Sequence, residues 1–383
     1  MNNFKSDSSL PVIASSELPS DVAFEILTRT SLETLDTCKV VSKSFMQSYC
    51  RRTNNISGYF IQGIDNSRYI SEFVSMDDCS GKNPLSRLPV EALKPKDRFF
   101  SIYGSNIKIE ASSKQGILCC VRSIRYNNHR YYICKPSTKE WKVLPNPKLR
   151  YSTVKVALVV LKSNPLHFKI IRLSKDPPFG SRHLGPGNYC CEIFDSQTNA
   201  WRQANMISLS EDASFKHHFI PINASGLIYL LTTDDQVIVL NYDGEEAYPR
   251  FYLPEQVARN EDYTLKKIIS YEGKLGFICL SPSGILELWC IDNRIDHFWR
   301  KEQEVETENI KRVTNYPSPI DFYNSDVILL MGFNVFIFYK KQNANLHVVE
   351  LDRLNCPTEI FPFCSDVEPI NWPFERKREK RGQ

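Results

Sequence analysis

The side chains that most often carry catalysis or bind metals are present in this sequence, but their spacing suits neither task. The chain has 12 Cys and 7 His. No two cysteines form a Cys-x-x-Cys pair, and the adjacent pairs at 119–120 and 190–191 lie inside apolar runs. Neighbouring residues of a strand point to opposite faces, so neither pair can share a metal or close an easy disulfide. We expect reduced, mostly buried thiols that act as small hydrophobic groups.

The sequence also lacks the motifs of common enzymes. Neither a Gly-x-Ser-x-Gly elbow, a His-Glu-x-x-His zinc motif, a P-loop nor a kinase set occurs. Gly185-Pro186-Gly187 lacks the third glycine of a dinucleotide-binding loop, and the adjacent His217 and His218 would point to opposite faces of a strand. We therefore predict a protein that is not an enzyme and that needs no cofactor and no metal.

Composition and charge describe an ordinary globular protein. The 383 residues are 42% hydrophobic and 24% charged, with a net charge of +4, part of which is concentrated at 376–381. No broad basic face is implied, so we expect no nucleic-acid partner. The longest apolar stretch, 327–339, is too short to span a bilayer, and no secretory signal is visible, so we expect no membrane contact and a cytoplasmic or nuclear location, or both.

Residues 18–52 have a helical period. Pro19 suits a first helical position, and apolar residues then recur at steps of three and four through Ile26, Leu35 and Phe45. A module of two or three short helices is marginal alone, because domains below about 40 residues usually need a partner or a staple. We therefore expect this module to complete its core against another part of the chain or another protein.

From residue 58 the period changes to two, as in an all-β domain. The predicted strands are 116–121, 131–134, 154–161, 168–173, 190–194, 227–232, 236–241, 276–279, 286–291, 327–331, 335–339 and 346–351. A strand end, a polar turn and an aromatic residue recur about 50 residues apart, and the aromatics are Trp141, Trp201, Tyr248 and Phe298 with Trp299. This period predicts a β-propeller of five to seven blades, with the aromatics filling gaps between blades. An irregular sandwich or barrel is the alternative.

The helical segment resembles an F-box. The resemblance is carried by Leu18-Pro19, Glu25-Ile26-Leu27, Arg29, Leu32, Leu35 and the run 41–45. Thr30-Ser31 stands where Leu-Pro is usual, and Phe45 stands where Trp is usual. A motif at 134–145, preceded by the run 116–119, is similar to the F-box-associated, kelch-like domain of the large plant F-box receptor family.

The resemblance implies a substrate-recognition subunit of a Skp–cullin–F-box ubiquitin ligase, which holds a target protein for ubiquitination and degradation. The fold class would be α+β in segregated domains, with a disordered leader at 1–16, an F-box at 17–57, a mainly-β propeller-like domain at 58–368 and a basic tail at 369–383. The residues expected to contact a Skp-type adaptor are Leu18, Pro19, Ile26, Leu27, Leu32, Leu35, Val41, Lys43 and Phe45.

The sequence says less about the target protein. The loop 174–189 is long for a strand connection, and Phe179, Arg182 and His183 within it are candidate substrate contacts. Two alternatives stay open, namely an F-box adaptor that acts outside a ubiquitin ligase and a propeller that binds a small ligand or a sugar. The second would need converging polar groups at one mouth of the ring, and no such cluster is visible in the sequence.

Overall fold

The computed structural model describes ten stretches of the chain. They are residues 56–65, 68–76, 107–125, 128–175, 187–291, 298–314, 317–351, 354, 357–365 and 369–372. The segment that resembles an F-box lies outside the described residues, so its predicted helices, and the domain boundary at residue 58, stay predictions.

The described residues form a six-bladed β-propeller, within the predicted range of five to seven blades. Six sheets of antiparallel strands follow one another around a ring. In five of them the strands succeed one another along the chain, from the inner edge of the blade outward. Blade 1 contains β3 (Ile107–Ser112), β4 (Leu118–Arg125), β5 (Asn128–Lys135) and β6 (Glu140–Val143). Blade 2 contains β7 (Ser152–Lys162), β8 (His167–Lys175), β9 (Asn188–Asp195), β10 (Ala200–Gln203) and the short β11 (Ile207–Ser208).

The next three blades repeat this order. Blade 3 contains β12 (Ile222–Ala224), β13 (Leu227–Leu231), β14 (Gln236–Leu240) and β15 (Phe251–Tyr252). Blade 4 contains β16 (Thr264–Tyr271), β17 (Lys274–Leu280), β18 (Ile285–Ile291) and β19 (Trp299–Glu306). Blade 5 contains β20 (Ser318–Phe322), β21 (Val327–Met331), β22 (Val335–Lys340) and β23 (Asn345–Glu350). The described residues also include a short helix between blades 4 and 5, α1 (Glu308–Lys311), and a 3₁₀ turn within blade 5, Lys341–Asn343.

Blade 6 closes the ring with strands from both ends of the chain. Its described strands are β24 (Pro357–Ser365), β1 (Ile56–Asp65) and β2 (Arg68–Ser75), in that order. The last strand, β24, pairs antiparallel with the first, β1, so that Phe361 faces Phe60. Closure removes two sheet edges that would otherwise be open to pairing with another chain.

The core is divided among the six junctions between blades. Each of the six apolar clusters combines side chains from two successive blades, as where Tyr131 and Trp201 join blades 1 and 2. Cys119 belongs to the junction of blades 1 and 2 and Cys120 to that of blades 6 and 1, so adjacent cysteines do alternate faces. Stability therefore comes from packing between neighbours, as in other radial repeats.

The repeated aromatics fill blade junctions in part. Trp201 is buried in β10, and its Nε1 donates to the carbonyl oxygen of Pro145 at 2.7 Å. Trp299 packs against blade 3, where its Nε1 donates to the carbonyl oxygen of Tyr252 at 2.9 Å. The same prediction is wrong for Tyr248 and Phe298, which are 49% and 74% exposed. In the fourth repeat the filler is Trp299, one residue after the predicted position.

A short segment near the C-terminus, residues 369–372, crosses the junction of blades 1 and 2, and we call it the C-terminal strap. Ile370 N donates to Glu140 Oε2 at 2.8 Å, and the carbonyl oxygen of Asn371 accepts from Leu166 N at 3.0 Å. Ile370 and Trp372 pack on the apolar cluster of that junction.

In the part of the chain that the structure describes, no helix is both long enough and apolar enough to cross a membrane.

Candidate functional site at the channel mouth

The six inner strands, β3, β7, β12, β16, β20 and β24, surround a central channel. Because each four-stranded blade returns the chain to its starting side, all inner strands begin on one face of the ring, which we call the mouth face, and end on the far face. A cavity of about 300 Å³ opens at the mouth face. Four blades line it, through His218, Phe219, Ile220, Leu265, Lys267, Ser318, Pro319, Ile320, Met331, Pro357, Thr358 and Ile360.

The N-terminal part of the chain joins the propeller on the far face. The first described residue, Ile56, pairs with Ser365 at the end of β24, whereas Pro357 at the start of β24 lines the cavity. A strand rises about 3.3 Å per residue, so the 9-residue β24 separates these two points by roughly 26 Å. Whatever precedes Ile56 is thus attached on the side opposite the cavity.

Leu265 stands out on the wall of the cavity. It lies in a β-bulge of β16, between Thr264 and Lys267, where the register with β17 shifts. Its φ is +54°, in the left-handed region that a bulky residue rarely adopts, and its side chain is 40% exposed. Bulges re-aim side chains, and strained backbone clusters at functional sites. Leu265 therefore offers an exposed apolar surface at the mouth at some cost in backbone strain.

Lys267 is the ammonium that lines the cavity. Its Nζ donates to the carbonyl oxygen of Ile320 at 2.9 Å, across the junction of blades 4 and 5. Burial lowers the pKa of Lys267 to about 8, and the negative charge of Asp321 opposes this shift. In the described part of the chain, Lys267 takes part in no ion pair of 4 Å or less, although a buried charge is normally paired.

Lys155 supports the wall of the cavity from behind. This residue of β7 donates from Nζ to the carbonyl oxygens of Lys216, His217 and Phe219 at 2.5, 2.8 and 2.6 Å. Burial lowers its pKa to about 8, and the charge of Glu359 raises it. Because the segment 216–219 leads into the wall, Lys155 both fixes that wall and adds a positive charge near the mouth.

Polar groups on β3 and β24 pair with one another near the mouth end of the channel. Lys108 of β3 lies 3.1 Å from Glu110 and 3.3 Å from Glu359 of β24, so it bridges blades 1 and 6. Burial lowers the pKa of Lys108, but the two carboxylates outweigh burial and hold it above its ordinary value. Burial raises the pKa of Glu110. Such pairs fill the channel with satisfied charge and leave little for a ligand.

Asp321 has a different environment on β20. One of its carboxylate oxygens accepts a hydrogen bond from the Tyr59 hydroxyl at 2.9 Å, while Oδ1 has no partner among the described residues. Burial raises the pKa of Asp321, and the charge of Lys267 lowers it.

The channel is spanned at the far face. There Lys114 Nζ of blade 1 lies 3.5 Å from Ser270 Oγ of blade 4, directly across the ring.

The residues singled out in the sequence are not those that form this cavity. The nine predicted adaptor contacts and the three predicted substrate contacts, Phe179, Arg182 and His183, all lie outside the described residues. The strands that flank the 176–186 loop end at the mouth face, since Lys175 pairs with Ser152 at the start of β7. The cavity was missed because its residues come from four blades, and their spacing along the chain carries no signal.

The channel bears on the alternative that this propeller binds a small ligand or a sugar. Polar groups do converge on the inner strands, but Lys108, Glu110 and Glu359 satisfy one another. The described residues contain no group of three or more His, Cys, Asp or Glu placed to hold a metal ion.

Comparison with known proteins points to one family. Residues 85–357 match the family described as F-box associated beta propeller domain. An F-box protein of Arabidopsis thaliana is 34% identical over 178 residues, which are 43% of this chain and 89% of that protein. A second F-box protein of the same plant is 24% identical over 346 residues, 84% of this chain and 88% of the relative. Among solved structures, TolB from Acinetobacter baumannii covers 83% of this chain and 69% of its own at 11% identity, with a TM-score of 0.43, too low to carry an argument.

Proposed function

Because this chain belongs to the F-box-associated β-propeller family of plant F-box proteins, we propose that it is the substrate-recognition subunit of a Skp–cullin–F-box ubiquitin ligase. In this proposal residues 17–57 dock on a Skp-type adaptor, and the mouth face of the propeller holds a target protein for ubiquitination and proteasomal degradation. Chemistry takes place on other subunits, so this chain is not catalytic. We propose that it works in the cytoplasm, the nucleus or both.

The observation that supports this proposal best is the separation of the two faces. The chain leaves the N-terminal segment at Ile56 on the far face, and the cavity opens on the mouth face roughly 26 Å away. The point at which the N-terminal segment joins the propeller is therefore clear of the cavity, as simultaneous binding of an adaptor and a target requires. A receptor needs this arrangement, because it works by raising the effective concentration of its target beside a charged enzyme.

Co-purification with a Skp-type adaptor tests the proposal. The adaptor is co-expressed with the full chain and with a Leu18→Ala/Pro19→Ala variant, and the amount retained per mole of receptor is measured. The Leu-Pro pair at Leu10 and Pro11 supplies a matched control, since Leu10→Ala/Pro11→Ala makes the same change outside the F-box. We expect the first variant to lose most of the adaptor and the control to lose none, because apolar anchors dominate such interfaces. Equal recovery from all three proteins would refute the proposal.

The same purified complex separates the proposal from its main alternative. If the protein serves a ubiquitin ligase, the adaptor-bound receptor also retains cullin from plant extract, and the Leu18→Ala/Pro19→Ala variant retains neither. Recovery of adaptor with no cullin would instead favour an F-box protein that acts outside ubiquitin ligases.

A further inference from the structure

We propose that the channel mouth binds a short acidic segment of a target protein, with one bulky apolar side chain in the cavity and a neighbouring Asp or Glu carboxylate against Lys267. This inference rests on the proposed function, since it names the class of target segment that the receptor selects. It is carried by the size and lining of the cavity, by the position of Leu265 and by the charge around the mouth.

The size of the cavity suits a side chain better than a cofactor. At about 300 Å³ it lies at the small end of the range of ligand sites, which is roughly 300 to 1,000 Å³. Its walls are mainly apolar, with Phe219, Pro319, Met331 and Ile360 among them. Burying a large apolar side chain there releases water from both surfaces and supplies the non-directional part of the affinity.

The rim of the cavity presents an apolar side chain to any segment that crosses it. Leu265 is exposed, and the bulge that carries it places a bulky residue at a positive φ. Nothing in the packing of β16 against β17 requires leucine at this position, since its side chain is absent from the apolar clusters of blade 4. A partner that covers Leu265 would remove this apolar side chain from water and so gain the free energy that its exposure costs the unbound protein.

The charges around the mouth select an acidic partner. Lys155 and Lys267 carry no carboxylate partner within 4 Å in the described residues, and Lys216 and Lys266 share the single carboxylate of Asp235. With Lys108, these ammonium groups number five, and the carboxylates that face them are Asp235, Asp321, Glu110 and Glu359, so the mouth keeps an excess of one positive charge. Low dielectric walls strengthen the attraction between such a site and a negative ligand.

Lys267 faces one of these carboxylates and keeps N–H groups for a ligand. The neighbouring carboxylate is Asp321, which accepts from Tyr59 and whose pKa is raised by burial. The exposed His218 lines the same cavity. The Lys267 ammonium uses one N–H on the carbonyl oxygen of Ile320, so two remain for a carboxylate. Hydrogen bonds between ionised partners are the strong ones, especially where water is excluded.

Fluorescence polarisation with labelled peptides tests the inference on the full chain purified with its adaptor. The probe is Gly-Ser-Asp-Asp-Phe-Asp-Asp-Ser-Gly, and three analogues replace the four Asp by Asn, the Asp by Lys, or the Phe by Ala. We expect the acidic Phe peptide to bind and each analogue to bind about tenfold more weakly or not at all. A fourth analogue with phosphoserine in place of Asp asks whether phosphate serves as well; clearly tighter binding of that analogue would overturn the choice of carboxylate.

Two variants and a matched control locate the binding. Lys267→Met removes the ammonium, and Leu265→Gly removes the rim side chain while favouring the positive φ, so neither should unfold the blade. We expect each to weaken binding of the acidic Phe peptide by about five- to tenfold. Lys274→Met removes the same charge from the exposed start of β17 on the far face and should leave binding unchanged.

The pH dependence of peptide binding supplies an independent check. Because a bound carboxylate raises the pKa of Lys267 above its free value of about 8, the contribution of Lys267 to binding is fully present below about pH 8 and is lost as pH rises from about 8 to about 10. Binding should weaken steeply over that interval in the wild type and less steeply in Lys267→Met, where Lys155 alone of the two still loses its charge.

Several outcomes overturn the inference. These are equal binding of the Asn analogue, equal loss in Lys267→Met and Lys274→Met, and no binding of the acidic Phe peptide to the wild type. In every sample the bound adaptor is measured as well. Lost peptide binding with the adaptor retained refutes only this inference, whereas loss of the adaptor from the wild type refutes the proposed function.

Discussion

The buried ion pair of blade 2 offers a sharp test of how the ring is held together. Arg172 of β8 and Glu192 of β9 are 2% and 0% exposed, with Nη1 and Oε2 at 2.5 Å. The guanidinium also donates to Thr153 Oγ1 and to the carbonyl oxygens of Leu149 and Tyr151, and Glu192 Oε1 accepts from Leu149 N at 3.0 Å. The pair therefore fixes the link between blades 1 and 2.

Removing one partner leaves the other charge buried without compensation. We expect Arg172→Met to lower the free energy of unfolding by about 3–5 kcal/mol, because the carboxylate of Glu192 then keeps only the Leu149 N–H. Glu192→Gln should cost about 2–3 kcal/mol, since the guanidinium keeps its bonds to Thr153 and to two carbonyl oxygens. With total stability of about 5–15 kcal/mol, both variants should still fold.

The double variant distinguishes this explanation from simple loss of contacts. Arg172→Met with Glu192→Gln buries no unpaired charge, so it should cost clearly less than the sum of the single changes, with a coupling energy of about 2 kcal/mol. Urea unfolding followed by tryptophan fluorescence measures all three. Arg202→Met, which breaks an ion pair to Asp243 with side chains 49% and 57% exposed, is the control and should cost less than about 1 kcal/mol. Additive single effects would refute the reasoning.

Three further predictions concern packing. Gly58→Ala should destabilise blade 6 by about 3 kcal/mol, because the added Cβ would lie 2.2 Å from the backbone oxygen of Val74 on β2. Gly273→Ala meets no atom within 4 Å and should cost about 1 kcal/mol, and thermal or urea unfolding measures both variants. Trp372→Ala should cost about 1–2 kcal/mol by loosening the C-terminal strap, and unchanged unfolding would show that the strap adds nothing. Burial raises the pKa of three thiols to about 12, namely those of Cys191, Cys279 and Cys290. At pH 8.5 iodoacetamide should therefore label these thiols only after unfolding, and mass spectrometry of the labelled protein checks this.

The sequence predicts best the strands that are buried on both faces. Some second strands, such as β13 and β21, are apolar throughout, and a short apolar run of that kind indicates a strand buried on both faces. The outer strands β6 and β10 are only four residues long, and β19 is mostly charged, so these were not predicted. The recurring aromatics indicated a propeller because the fourth strands of blades 1, 2 and 4 each carry a tryptophan at the junction with the preceding blade.

The inner strands show why the rest could not be predicted. β3 alternates isoleucine with Lys108 and Glu110, and β20 places Asp321 between apolar residues, because one side of an inner strand borders the channel. That alternation is a visible signal, but short polar strands resemble loops when read singly. The number of blades and the pairing of β1 with β24 depend on contacts between distant parts of the chain, as does the cavity at the mouth. No local pattern specifies them.

The pairing of the first strand with the last constrains how the protein can be made. Phe60 and its partner Phe361 are separated by about 300 residues, which a ribosome adds in roughly 15–60 s. Throughout that interval β1 and β2 have no β24 to pair with, and Phe60, Phe73 and Tyr59 lack the neighbours that later cover them. The nascent protein thus carries an unpaired, apolar sheet edge until β24 has been synthesised, which makes it a natural client for chaperones at the exit tunnel.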